Sequence, residues 1–149
     1  MPSRHLSRRR ALQLLYECDV RQIAPDDAMR DYYHSLYTEE NEGVPEPDPF
    51  METLLRGAYG ELELLDALIT RRSEHWKLER MPVVDRNLLR LAAFELLRTE
   101  TPAAVVIDEA IELARRFSGD ESARFVNGVL DAMRKGDEIA NRAHRIDNQ

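Results

Sequence analysis

Apolar residues recur at three- and four-residue intervals along almost the whole chain, and no stretch sustains the two-residue alternation of a half-buried strand. That pattern confines the fold to helices packed on helices. In the first segment Leu12, Leu15 and Tyr16 share a face with Asp19 and Ile23, while Arg10, Gln13 and Glu17 share another. Ser7 is the expected N-cap of this helix, and Pro25 follows its expected end near Ile23. A short helix is predicted from about Asp26 to Tyr37, then an exposed loop over Thr38 to Asp48 that holds Gly43 and Pro45. Asp48 followed by Pro49 is a helix start signal, and Phe50, Leu54, Ala58, Leu62, Leu65 and Ile69 predict one long buried stripe behind it. The stretch Val84 to Arg98 is apolar on most sides and belongs at the centre of a domain. Pro102 opens a helix that Ser118-Gly119 breaks, and a last helix runs from Asp120 to Lys135 with Gly136 as its stop. Six to seven helices with short connections predict an all-α bundle of two stacked three-helix halves. The expected halves are about 1–75, with the loop, and about 76–136, followed by a polar tail over 137–149.

Charge distribution narrows the partners. The net charge is −7, yet seven of the 28 acids lie between Asp31 and Thr53, where there is no Lys or Arg. The remainder is balanced, and the chain ahead of Glu17 carries four arginines and no acid. A local basic site is thus compatible with an acidic total. No apolar run has membrane-spanning length, no secretory signal is recognisable, and the single cysteine, Cys18, rules out an internal disulfide. These features fit a protein that stays in the cytoplasm, away from the membrane.

Catalytic and metal-binding patterns are missing from the sequence. His5, His34, His75 and His144 lack ligand spacing, and there is no phosphate-binding glycine loop and no nucleophile elbow. A non-enzymatic protein without cofactor or metal is expected. Two constellations remain. Arg4, Arg8, Arg9 and Arg10 cluster at a helix start, where cations oppose the helix dipole but can meet phosphates; RNA binding and ordinary solvation both account for them. Glu121 and Phe125, one turn apart, could present an acid and an aromatic ring to a protein partner, or be a solvated acid beside a core residue. Tyr16 at the margin of its apolar face reads first as a core tyrosine. Gly128 inside a helix costs roughly 1 kcal/mol relative to alanine, so it and neighbouring Asn127 are read as packing residues.

The segments Arg8-Arg9-Arg10-Ala11-Leu12-Gln13-Leu14-Leu15-Tyr16, Trp76-Lys77-Leu78-Glu79-Arg80-Met81, Val84 to Ala92, Ile107 to Ala114 and Arg124-Phe125-Val126-Asn127-Gly128-Val129-Leu130 occur in this order. In that order and spacing the chain resembles the bacterial transcription antitermination factors of the NusB family. The resemblance implies an all-α fold of two three-helix subdomains. It also implies a complex with the ribosomal protein NusE on boxA-type single-stranded RNA of ribosomal RNA operons, within a transcription elongation complex that holds other Nus factors. RNA-binding residues carried over are Arg4, Arg8, Arg9, Arg10, Gln13, Arg72 and Arg124. Tyr16, Val20, Asp85, Glu121 and Phe125 carry over as the NusE face, which lifts Tyr16 and Phe125 above the core reading. Arg71-Arg72 stands where relatives often have a proline and an aromatic. A homodimer that covers the RNA surface is a further arrangement found in such proteins. The competing reading is a helical protein-interaction domain that does not bind RNA.

Overall fold

The computed structural model describes residues 2–36, 46–74, 76–136 and 139. Among them the chain forms seven α-helices and one 3-10 turn, with no strand. None of the helices is long and apolar enough to cross a membrane. The chain divides after Gly60 into two compact units, Met1–Gly60 and Glu61–Gln149.

The first unit holds α1 (Arg4–Arg21), α2 (Pro25–Ser35) and α3 (Pro49–Gly60), with α1 packed along α3 and α2 against both. α1 starts earlier than Ser7. Ser3 is the cap, its Oγ accepting the Leu6 N–H at 3.1 Å. Ser7 lies inside the helix, buried, because its hydroxyl has another use: it donates to Asp48 at 2.6 Å. α3 begins as the sequence predicts, with Asp48 Oδ1 accepting the Met51 N–H at 3.1 Å and Pro49 in first position. Positions 38–45 of the expected exposed loop lie outside the described residues, and at its end Asp48 is buried, not exposed. The buried apolar set comprises Ala11, Leu12, Leu14, Leu15 and Cys18 of α1, Ala28 and Met29 of α2, and Met51, Leu54, Leu55 and Ala58 of α3. Phe50 is only half-buried and stands off that stripe.

The predicted long helix behind Pro49 is interrupted. Glu61 adopts φ −119° and ψ 25°, outside helical geometry, directly after Gly60, and a new helix α4 (Leu62–Arg72) follows. Gly57 and Gly60 lower the helical preference on the near side of the break. The second unit therefore holds four α-helices, not three: α4, α5 (Val83–Arg98), α6 (Ala103–Phe117) and α7 (Asp120–Lys135), with the 3-10 turn Leu78–Arg80 between α4 and α5. Its limit lies at Gly60, whereas the sequence reading set the junction near Trp76.

α5, α6 and α7 pack on one another, and α4 packs on α5 and α7. α5 is the central helix, buried along Leu88, Leu89 and Leu91 to Leu96. Two of its polar side chains are matched: Asn87 Nδ2 donates to the Val83 carbonyl at 2.9 Å, and Arg90 forms a two-pronged pair with Asp66 at 2.7 and 2.9 Å. Gly119 joins α6 to α7 with φ 107°, a conformation that a side chain would strain. The packing reading of Asn127 and Gly128 does not hold. Both are exposed, and a Cβ placed on Gly128 would meet nothing within 4 Å among the described residues.

Candidate functional site

The N-terminal arginines fall into distinct environments. Arg10 is held by Asp48 through Nη1 at 3.1 Å and lies 5.5 Å from the centre of the Tyr32 ring. Asp48 is 1% exposed and accepts on both oxygens: from Ser7 and the Met51 amide on Oδ1, from Arg10 on Oδ2. Its own N–H donates to Tyr33 Oη at 3.1 Å, and Tyr33 Oη donates to Glu52 at 3.3 Å. Burial, above all, pushes the Tyr33 phenol above its ordinary range. Arg4 and Arg8, one turn apart, both lie over the ring of Phe50, at 4.2 and 5.3 Å from its centre. Arg4 is exposed, whereas Arg8 is 8% exposed. Arg9 is partly exposed and Gln13 exposed. This end of the first unit presents cations and a polar amide to solvent, braced by the aromatic residues of α2 and α3.

A second site lies within the second unit. A pocket of about 320 Å³ opens between the chain ahead of α5 and the α6–α7 corner. Trp76 and Phe125 form its aromatic wall, with ring centres 6.0 Å apart and edge-to-face, and Met81 and Pro82 continue the apolar lining. The polar lining is Asp85, Ser118, Glu121 and Ser122. Asp85, in the first turn of α5, is 2% exposed. Ser122 Oγ donates to its Oδ2 at 3.0 Å, yet the buried Oδ1 has no partner among the described residues. Burial raises the Asp85 carboxyl above the usual range, and the two serines offset part of that. Among the described residues no cationic side chain lines the pocket. Two carboxylates do not make a metal cage. Acceptors and ring faces together suit an inserted N–H donor or cation.

The residues expected for the NusE face are distributed over the two units. Tyr16 is 39% and Val20 53% exposed on α1, which removes the core reading of Tyr16. Asp85, Glu121 and Phe125 line the same pocket. Of the residues expected to meet RNA, Arg4, Arg8, Arg9, Arg10 and Gln13 share α1, while Arg72 ends α4 and Arg124 is exposed on α7. Sequence reasoning missed Trp76, placed in a connector, and the serines that steer Asp85. It also missed Phe50 and Asp48 as supports for the arginines. Asp48 carried a legible signal as a helix cap, but nothing in the sequence marks its bonds to residues 38 and 41 positions away.

A model of the NusB family matches residues 5–135. The transcription antitermination protein NusB of Solibacter usitatus (strain Ellin6076) is 54% identical over 135 residues, covering 91% of this chain and 90% of that protein. NusB of Anaeromyxobacter dehalogenans (strain 2CP-1) is 44% identical over 139 residues, with 93% and 95% covered. Among solved structures, T. maritima NusB superposes with a TM-score of 0.80 at 32% identity, covering 96% of this chain and 98% of that one. A crystal structure of antitermination factors NusB and NusE in complex with dsRNA gives 0.74 at 25% identity, covering 89% and 96%. Matched along nearly its full length, the chain belongs to the NusB family.

Proposed function

We propose that this chain is a non-enzymatic antitermination factor of the cytoplasm. It pairs with the ribosomal protein NusE on boxA-type RNA of ribosomal RNA operons and supports transcription and maturation of those RNAs in company with other Nus factors. The observation that carries the reading is the pocket with Asp85 at its base: a buried carboxylate oxygen without a donor, beside two aromatic rings and Glu121. Ribosomal proteins are basic as a class, and such a pocket complements a cationic or amide-bearing side chain. Phe125 and Trp76 serve as anchors, with Tyr16 and Val20 as further exposed contacts. Asp85 and Glu121 steer docking and fix its register.

RNA meets the α1 cations. Arg4 and Arg9 are placed to contact phosphates and Gln13 a base edge; Arg8 supports them, and Arg10 is given the smaller part because Asp48 already holds it. Arg72 and Arg124 are assigned to RNA on the family likeness alone. Sequence-specific readers of RNA mostly take unpaired bases, whereas the NusB–NusE neighbour holds dsRNA. The test is fluorescence anisotropy with a boxA-bearing single strand and a duplex of the same sequence, each with and without NusE, across salt. Three or four phosphate contacts predict a salt slope of roughly −2 to −3 on the single strand. Arg8/Arg9/Arg10→Ala should weaken RNA binding and spare NusE. No RNA binding by the folded monomer, even with NusE present, would leave a protein-interaction domain; a dimer that dissociates before RNA binds would show that the RNA face is covered at rest.

A further inference from the structure

Arg4 and Arg8 are like charges one turn apart at a helix start with no acid in its first turn, an arrangement in which both repulsion and the helix dipole favour splayed, mobile side chains. Instead their guanidinium groups converge over one ring, at 4.2 and 5.3 Å from the centre of Phe50. Phe50 is the first residue after Pro49 in α3 and stands off that helix's buried stripe of Met51, Leu54, Leu55 and Ala58. Its ring is half-buried and two cations lie over it.

The manner of support matters. Asp48 fixes Arg10 by neutralising its charge and occupying an N–H donor. A ring fixes a guanidinium through its π-face, which cancels no charge and consumes no hydrogen-bond donor. Arg4, exposed above Phe50, is therefore held in place with its charge and donor edge still available. Binding a phosphate costs a positioned arginine less side-chain entropy than it costs a mobile one.

We infer that Phe50 is a positioning residue of the RNA-binding face, holding Arg4 ready for a phosphate group. The inference rests on the RNA reading above and extends it to a residue on a different helix that never touches RNA. The test compares wild type, Phe50→Leu, Phe50→Tyr, Arg4→Ala and the Arg4→Ala/Phe50→Leu double variant, each titrated with the boxA single strand across salt and, separately, with NusE. Phe50→Leu keeps apolar bulk and removes the ring. RNA affinity should fall about two- to fivefold, the worth of an exposed cation–π contact, and the salt slope should lose about 0.7, one phosphate contact. NusE affinity and melting temperature should stay put, and Phe50→Tyr should restore RNA binding. The double variant should lose less than the product of the two single losses. In the free protein, the Arg4 guanidinium resonances should carry a ring-current shift that Phe50→Leu abolishes. An unchanged slope in Phe50→Leu, fully multiplicative losses, or no ring-current shift in wild type would overturn the inference, the last even if Phe50→Leu fails to fold. A wild type that binds no RNA would overturn the functional reading itself, and this inference with it.

Discussion

Asp48 in the first unit and Asp85 in the second are equally hidden from solvent, at 1% and 2% exposure, yet they are treated in opposite ways. Asp48 receives a hydroxyl, a backbone amide and a guanidinium, so both oxygens are occupied. Asp85 receives the Ser122 hydroxyl, and its other oxygen has no partner among the described residues. A buried carboxylate with a full set of donors holds a fold together; one with a missing donor carries a cost that an incoming donor can remove. The same division appears among the arginines, since Arg10 is matched within the fold while Arg4 is braced without being matched. Structural and functional charges of one type can thus be separated by what satisfies them.

The contrast can be broken at its strongest point first. Asp48→Ala removes the acceptor for Ser7, Arg10 and the Met51 amide together, and should destabilise the chain by about 3 kcal/mol or more in urea unfolding. A loss below about 1 kcal/mol would show that water replaces those bonds readily. Asp85→Asn should act the other way on stability, raising it by about 1 kcal/mol because a neutral amide replaces a buried, half-satisfied charge, while NusE affinity measured by calorimetry falls about tenfold. Loss of both stability and affinity would make Asp85 an ordinary structural residue.

The pH dependence sharpens the same point. The folded chain holds the Asp85 proton more readily than the unfolded chain does, since burial raises the carboxyl. The cost of the charge is therefore absent below the unfolded value of about 4, grows as pH rises toward the folded value, and is constant above it. The stability advantage of Asp85→Asn should accordingly be full at neutral pH and vanish in acid, read from melting temperatures of the two proteins. Smaller effects should separate Arg9 from Arg10. Arg9→Ala should reduce RNA affinity two- to fivefold, about 0.5–1 kcal/mol, without moving the melting temperature, and Arg10→Ala should lower the melting temperature while reducing RNA affinity less. Smallest of all is Cys18, which is buried and whose thiol is pushed up to about 11, chiefly by burial. It should stay silent toward a thiol reagent at pH 8 until the chain unfolds.

Local signals were legible in the sequence and distant ones were not. The start of α3 at Asp48-Pro49 and the span of α7 could be read directly, because caps, prolines and glycines act on their immediate neighbours. The all-α class followed from periodicity. The break at Glu61 could not be read, because the apolar stripe continues through it in register. Gly128 and Asn127 were misjudged for a related reason: a glycine in a helix has a local cost, but sequence does not say whether a neighbour offsets it, and here none does among the described residues. Phe50 looked like core because it is aromatic and in phase; only the approach of α1 shows that arginines cover it. Glu121 and Phe125 could be paired as residues one turn apart. Their meeting with Asp85 and Trp76 depends on how α5 and α7 pack, which spacing does not encode.

The bond from Ser7 to Asp48 spans 41 residues and turns the intervening chain into a closed loop. The entropy of closing such a loop grows only with the logarithm of its length, by about 0.6 kcal/mol for each doubling. The clasp at its ends is worth several times that increment. Extra residues introduced between α2 and α3 would therefore be absorbed at little cost, while the registration of α1 against α3 stays fixed by one carboxylate.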